Sequence, residues 1–369
     1  MTQWTLPKQL ISVALFIFIT ATAVPSGADA SRCQLLFRTA THQRSWPQID
    51  KLVFMTYNVA NIYGLRGKFR RLSATDFEPI YEKPARPKPD EQIQQLRKIL
   101  NEVNPDIAVL TEVESLTALK TLSSEITSPY KSFLVEGNDM RGIDIGFLIK
   151  SDLPIKGEII SHKDREWKDP VTRRKTPLFS RDLPVLLLRK DNNPKPFLMI
   201  FGMHAISKRG RPGDFESTRL RTAQFDGALN IIAEFRAKFG ADVPVVLAGD
   251  FNTSVMFAPE FQAIRQTLAS AFDLAQNTIP RAARVTHTYH EDYIDPTDGS
   301  THERTSMDQL DDIRLLGISG ESVLSAFVYR YKDEDGFTVP FAVSSELRYK
   351  QNSDHLPVVV EISRDAFDR

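Results

Sequence analysis

Pro244-Val245-Val246-Leu247-Ala248-Gly249-Asp250-Phe251-Asn252 decides how the rest of the chain is read. Its apolar, β-prone first half is a buried strand, so Asp250 and Asn252 fall at the strand's end. The arrangement recurs: Lys51 to Tyr57 delivers Asn58, Ile107 to Leu110 delivers Glu112, and Phe197 to Met203 delivers His204. Asp311 precedes the run Ile313 to Leu316, and Asp354-His355 precedes Leu356 to Ile362. In an α/β layered domain strand ends meet on one edge, where carboxylates, amides and imidazoles can hold a hard cation beside acid/base groups. That points to metal-assisted attack on a phosphate ester.

Outward from this stretch, Ser217 to Phe239 is helical, with Phe225, Leu229, Ile232 and Phe235 on one face and Gly240 as its stop. Asp90 to Val103 is a second helix, with Asp90 as N-cap and Asn104-Pro105 as its end, and Ser115 to Ile126 is a third. Ser132 to Val135 pairs with Ile143 to Ile149, and Leu183 to Leu188 pairs with Phe197 to Met203 across Asp191-Asn192-Asn193-Pro194. These four runs read as a mixed sheet with antiparallel pairs. Ile62 to Pro89 and Ser161 to Pro177 read as long loops, Glu260 to Phe272 as helix-like, and His287 and His290 as loop residues. Helix and strand alternating through short turns is the rhythm of an α/β domain.

The polar residues suit divided roles. Glu112 is the natural principal ligand of a divalent cation, with Asn58 as a neutral amide oxygen and Asp354 as a further carboxylate. If the segment stays extended, Asp250 and Asn252 project to one side, the first as general base and the second orienting the water or a phosphate oxygen. His355 can donate to a phosphoryl oxygen, with its tautomer fixed by Asp311 or by the adjacent Asp312, Asp311 being preferred. Arg141, Arg181 and Lys208 could each contact a phosphate, the plain alternative being surface charge or a structural ion pair.

Seven pieces occur in an order that resembles the endonuclease/exonuclease/phosphatase superfamily, the group of DNase I, abasic-site endonucleases, inositol polyphosphate 5-phosphatases and neutral sphingomyelinases. They are Thr56-Tyr57-Asn58-Val59, Asp106 to Glu114, Arg141-Gly142-Ile143-Asp144-Ile145-Gly146, Met203-His204, Gly249 to Asn252, Gln309 to Ile313, and Ser353-Asp354-His355-Leu356-Pro357. The resemblance implies a four-layer α/β sandwich of two mixed β-sheets flanked by helices. It also implies Mg²⁺, with Mn²⁺ as a substitute, near Asn58, Glu112 and Asp354. Asp250 and Asn252 would then address the nucleophilic water, and His204 and His355 the scissile phosphate. Arg141 and Asp144 resemble a segment of bacterial secreted members, which implies substrate contact, and Arg181-Asp182 precedes its strand in a similar way. The chain departs from the pattern at Met203-His204-Ala205-Ile206-Ser207-Lys208, where many relatives have a polar residue before the histidine and Lys-Ser after it.

The chain has 369 residues, 41% hydrophobic and 25% charged, enough for a substantial core. Residues 1–30, with Lys8, the apolar stretch Leu10 to Ile19 and Ala28-Asp29-Ala30, read as a secretory signal, an uncleaved anchor being the alternative. Residues 31–48 read as a lead-in segment and 49–369 as the catalytic domain. Export to the periplasm or the medium follows. With Cys33 as its only cysteine the chain forms no intramolecular disulfide. Net charge is zero, so nucleic acid is argued from the basic segments Arg66 to Arg71, Arg165 to Lys175 and Lys208 to Arg211. The reading is an exported Mg²⁺-dependent phosphodiesterase acting on nucleic acid; the alternative substrate is a phospholipid or a small phosphate ester. No stable protein partner is inferred.

Overall fold

The computed structural model describes residues 43–63, 69–71, 77–79, 88–190, 193–210, 213–333, 335–349 and 351–368. The expected signal at 1–30 and most of the lead-in segment lie outside them. Among the described residues no helix is long and apolar enough to cross a membrane.

The chain opens with β1 (Lys51–Ile62), then the short pair β2 (Phe69–Arg71) and β3 (Phe77–Pro79), α1 (Asp90–Val103), β4 (Ile107–Val113) and α2 (Leu116–Ser123). Next come β5 (Tyr130–Leu134), β6 (Asp144–Lys150), β7 (Ile155–Ile160), the small hairpin β8 (Glu166–Lys168) and β9 (Lys175–Pro177), β10 (Val185–Lys190) and β11 (Leu198–His204). The long helix α3 (Thr218–Phe239) leads to β12 (Val245–Asp250), α4 (Gln262–Thr267), β13 (Ala269–Ser270) and α5 (Ala271–Leu274). A second hairpin, β14 (His287–Ile294) and β15 (Thr301–Asp308), runs into β16 (Asp311–Leu316). The chain closes with β17 (Val323–Val328), α6 (Ser345–Tyr349) and β18 (Val358–Ser363).

The strands form two six-stranded mixed sheets, ordered β17-β18-β1-β4-β6-β5 and β13-β16-β12-β11-β10-β7. β1 runs parallel to β4 and β11 parallel to β12, and the other pairings within these sheets are antiparallel. The expected strand pairs both form, but they fall in different sheets, because β7 intervenes and pairs with β10 rather than with β6.

Side-chain alternation builds the layers. In β12, Val246 and Ala248 face the other sheet while Val245 and Leu247 pack under α3 with Phe225 and Ile232. In β4, Ile107 and Val109 face inward while Ala108 and Leu110 meet Leu96 and Leu100 of α1 and Leu119 of α2. Each fully buried Leu, Ile, Val or Phe contributes about 1.5–3 kcal/mol, which makes this the stabilising body of the fold.

Three further expectations change. Arg44 pairs with Asp106 and Asp152, and Trp46 packs edge-on against Phe197, so packing of the domain starts before residue 49. Glu260 to Phe272 is a 3-10 turn, a short helix, a two-residue strand and the start of a second short helix rather than one helix. Thr286 to His290, read as loop, opens the β14–β15 hairpin, which alternation could not reveal because most of its residues on both faces meet solvent.

Candidate active site

The inward face of the sandwich does not stop where the apolar residues end. Asp250 follows Val246 and Ala248 on that face, His204 follows Leu198 and Ile200, and Asn58 follows Phe54. Asp311 precedes Ile313 and Leu315 in the same way. Alternation would turn Glu112 outward, but its φ of 67° and the register break between Thr111 and Val113 make a bulge. The bulge leaves Glu112 Oε1 3.3 Å from Asn58 Nδ2, and with it at the cleft.

Asp250 is the hub. Its Oδ1 accepts from the Asn252 backbone N–H at 2.7 Å, and its Oδ2 accepts from Asn58 Nδ2 at 3.0 Å and Asn252 Nδ2 at 3.2 Å. His204 Nε2 lies 3.5 Å and His355 Nε2 3.8 Å from the same oxygen. Asn252 is not extended: its φ of 51° folds the segment back, so Asp250 and Asn252 meet through a turn. Gly249 sits at φ 149°, and a Cβ there would lie 1.8 Å from the Met203 carbonyl oxygen, which leaves room for glycine alone. Burial is the main force that pushes the Asp250 carboxyl up to about 6, against the charge of His355 and its hydrogen bonds.

His355 Nδ1 and Asp311 Oδ2 are 2.6 Å apart and both groups are buried. Burial opposes the imidazolium, but Asp311, Asp250 and Asp354 outweigh it and raise His355 to about 10, so the ring is charged at neutral pH. Thr286 Oγ1 accepts from the Asp311 backbone N–H, and Ser353 Oγ accepts from that of His355 while donating to the Asn58 carbonyl. Asp312 points elsewhere, bonded to Ser270 and paired with Arg314, so Asp311 is the partner of His355. His204 has the opposite balance: burial, then the charges of Arg181 and Arg141, hold it well below its ordinary value and neutral.

Glu112 and Asp354 bring two more carboxylates. Burial, then Asp354, raises Glu112. Asp354 is lowered to about 2, because His355, Arg348 and His287 outweigh its burial; Arg348 Nη2 lies 3.0 Å from its Oδ1. Asn58 turns its amide nitrogen, not its oxygen, toward Glu112 and Asp250, and its oxygen accepts from the Ala60 N–H at 3.0 Å.

Arg141 and Arg181 reach the edge together. Asp139 receives Arg141 Nε at 3.2 Å and Arg181 Nε at 3.0 Å, and Arg181 Nη1 donates to the Ala205 carbonyl at 2.9 Å. Lys208 is exposed on the segment after β11, close enough to His287 to disfavour a charge there. Asp144 is different. On β6 it alternates away from Ile145 and Phe147, is 3% exposed, and accepts from the Gly137 N–H at 2.7 Å, which holds the turn that follows β5.

Three residues at this edge, Lys88, Asp139 and Arg348, go unread in the sequence, and His287 reads first as a loop residue, with substrate contact second. His287 Nε2 lies 3.9 Å from Asp354 Oδ2, with its ring 4.5 Å from that of His355. Burial, then His355, lowers it to about 3. Lys88 donates to the Ala60 carbonyl at 2.8 Å and is lowered to about 8 by burial and then by Arg348. Asp139, which pairs with Arg141 and Arg181, and Arg348, which pairs with Asp354, sit where no periodicity marks them. His287 alone left a signal, its place in an aromatic run.

The donor set fits a hard divalent cation. Glu112 and Asp354 offer only oxygen, and Glu112 is raised by burial beside Asp354, a crowding that a bound cation relieves. His287, Asp354 and His355 form one cluster of potential ligands and Asp250, Asp311 and His355 another, though His355 is engaged by Asp311 in both.

A family model described as Endonuclease/Exonuclease/phosphatase family matches residues 55–288, a span that holds Asn58, Glu112, His204 and Asp250 and ends before Asp311 and His355. No curated protein matches the chain. Among solved structures, an endonuclease/exonuclease/phosphatase family protein from Bacteroides thetaiotaomicron is similar at 16% identity and a TM-score of 0.51, covering 85% of this chain and 95% of that one. A functionally unknown conserved protein from Enterococcus faecalis V583 is similar at 16% identity and a TM-score of 0.50, covering 84% and 98%. Both show the α/β sandwich, and at this identity they speak to the fold alone.

Proposed function

Because the chain belongs to the Endonuclease/Exonuclease/phosphatase family, whose members hydrolyse phosphoester bonds, we propose that it is a divalent-cation-dependent phosphodiesterase acting on nucleic acid. The observation that carries the reading is the constellation at one oxygen: Asp250 Oδ2 faces both amides and both imidazoles, with His355 charged through Asp311. Asp250, raised toward neutrality, takes the proton of an attacking water that Asn252 orients. His355, held protonated, donates through Nε2 to a phosphoryl oxygen, and His204, buried and neutral, fixes the other side. Mg²⁺ or Mn²⁺ held by Glu112 and Asp354, with Asn58 beside them, would neutralise charge that develops on the phosphate. Arg141 and Arg181 would bind the same phosphate or its neighbour.

Nucleic acid is favoured over a small ester by the 161–184 segment, which carries seven lysines and arginines against four carboxylates and lies at the same edge as Arg181. The leader at 1–30 would place the reaction in the periplasm or outside the cell. The test is hydrolysis of bis(p-nitrophenyl) phosphate and of end-labelled linear DNA and RNA, with Mg²⁺ or Mn²⁺, with EDTA, and with Asp250→Asn. Cleavage of both substrate types that EDTA and the substitution abolish supports the reading. Hydrolysis of the small diester with no cleavage of either nucleic acid moves the substrate to a phospholipid or small ester.

A further inference from the structure

The cleft is electrically lopsided. The strand orders stack β16, β12, β11 and β10 over β18, β1, β4 and β6, so the site runs as a line from Asp311 and His355, past Asp250 and Asn58, to Arg181 and Arg141. Beyond the arginine end, the 161–184 segment emerges at the same edge, since Ile160 and Val185 are paired there. Asn138 ties that segment to the Arg141 turn through the carbonyls of Lys163 and Phe179. Its excess charge is positive.

The other end is closed by the β14–β15 hairpin. It continues β16 past Asp311 and starts at His287, which forms a β-bridge with His355. Its eight-residue strands therefore rise roughly 25 Å past the catalytic edge. From His287 through Asp308 it carries six carboxylates, Asp308 included, and one arginine. Asp292, Asp298 and Glu303 are exposed, and Asp292 stands directly opposite Glu303 in the pairing. Like charges directly opposite destabilise a hairpin; Glu303 also accepts from the Ser345 N–H and lies 3.9 Å from His290 Nδ1, while Asp292 is left facing it across the pair.

A strand cut internally must carry phosphates away from the scissile bond in both directions. We propose that the β14–β15 hairpin is an electrostatic end-stop: it repels the phosphate chain on the His355 side and restricts cleavage to the ends of a nucleic-acid strand. The inference rests on the nucleic-acid reading above. It needs no ion or ligand at the hairpin, only its excess negative charge beside a continuing backbone, an effect that salt screens.

The test compares linear and covalently closed single-stranded DNA of one sequence, with bis(p-nitrophenyl) phosphate in parallel. The expected result is stepwise shortening of the linear strand, with the circle cut at least about tenfold more slowly at low salt and the gap narrowing as salt rises. The variant Asp292→Asn/Asp298→Asn/Glu303→Gln should speed cutting of the circle several-fold, with small-diester hydrolysis unchanged. Equal cutting of circle and line by the unaltered protein overturns the end-stop and leaves the nuclease reading standing. A variant as slow on the circle as the parent, with its small-diester activity intact, also overturns it. If the small diester is hydrolysed and neither the DNAs nor a linear RNA of the same sequence is cut, the nuclease reading falls and the end-stop with it.

Discussion

Val246 and Asp250 sit four residues apart on the same face of β12, and each is 1% exposed. Around Val246 the inter-sheet space is filled by Ile145, Ile200, Ile313 and Val358. Around Asp250 it is filled by Asn58, Asn252, His204 and His355. Burial is the same and its consequence opposite: for Val246 it is the driving force of folding, for Asp250 a cost that lifts the carboxyl to about 6 and makes it basic enough to serve at neutral pH. The strand middles also keep regular register, whereas Glu112, Asn252 and Gly249 hold positive φ at the ends. Strain and buried charge gather at the candidate site, and the dry middle of the sandwich supports them.

The sharpest way to break this comparison is Asp250→Asn. It should lower kcat by about 10²–10⁴, while costing no more than about 1 kcal/mol of stability, since the lost acceptor is offset by a carboxylate no longer held dry. Steady-state rates and thermal melting read both; a melt that collapses along with activity would place Asp250 in the structural class of Val246. The reciprocal change is Phe147→Ala, at a fully buried inter-sheet ring. It should cost about 3–5 kcal/mol in denaturant unfolding and leave kcat of the folded fraction within about twofold.

The pH profile sharpens the same contrast. A base that works deprotonated and a donor that works protonated require the rate to rise through the titration of Asp250 and fall through that of His355. The limbs belong near pH 6 and pH 10, the lower one moving down when a cation binds. A rate that shows neither limb across the range in which the protein stays folded would remove both residues from the proposed roles. The smallest effect belongs to Asp139→Asn, which loosens Arg141 and Arg181: KM should rise about three- to tenfold with kcat little changed, and Asp139→Glu should recover part of the loss. A fall in kcat alone would show that the arginines act on the transition state and not in binding.

The layered fold was legible because its strands are apolar in the middle and abruptly polar at the end, as in Leu247-Ala248-Gly249-Asp250. The residues singled out at those ends do come together in space, Asp144 excepted, for alternation on β6 turns it away from the cleft. Hidden from the sequence were features that depend on departures from regularity. The Glu112 bulge reverses a facing that period-two reading gets wrong, and the Asn252 turn replaces an extended segment. The hairpin at His287 is wet on both faces, so no hydrophobic period announces it. Asp139 binds its two arginines from a turn with no pattern of its own.

The most direct test of the central claim, that the polar ends of these buried strands form one hydrolytic centre, is the rate of bis(p-nitrophenyl) phosphate hydrolysis by the folded protein with Mg²⁺ or Mn²⁺, measured for the parent and for Asp250→Asn. The account predicts turnover that EDTA removes and a loss of at least about a hundredfold in the variant at an unchanged melt. Turnover that survives the substitution undiminished would contradict it.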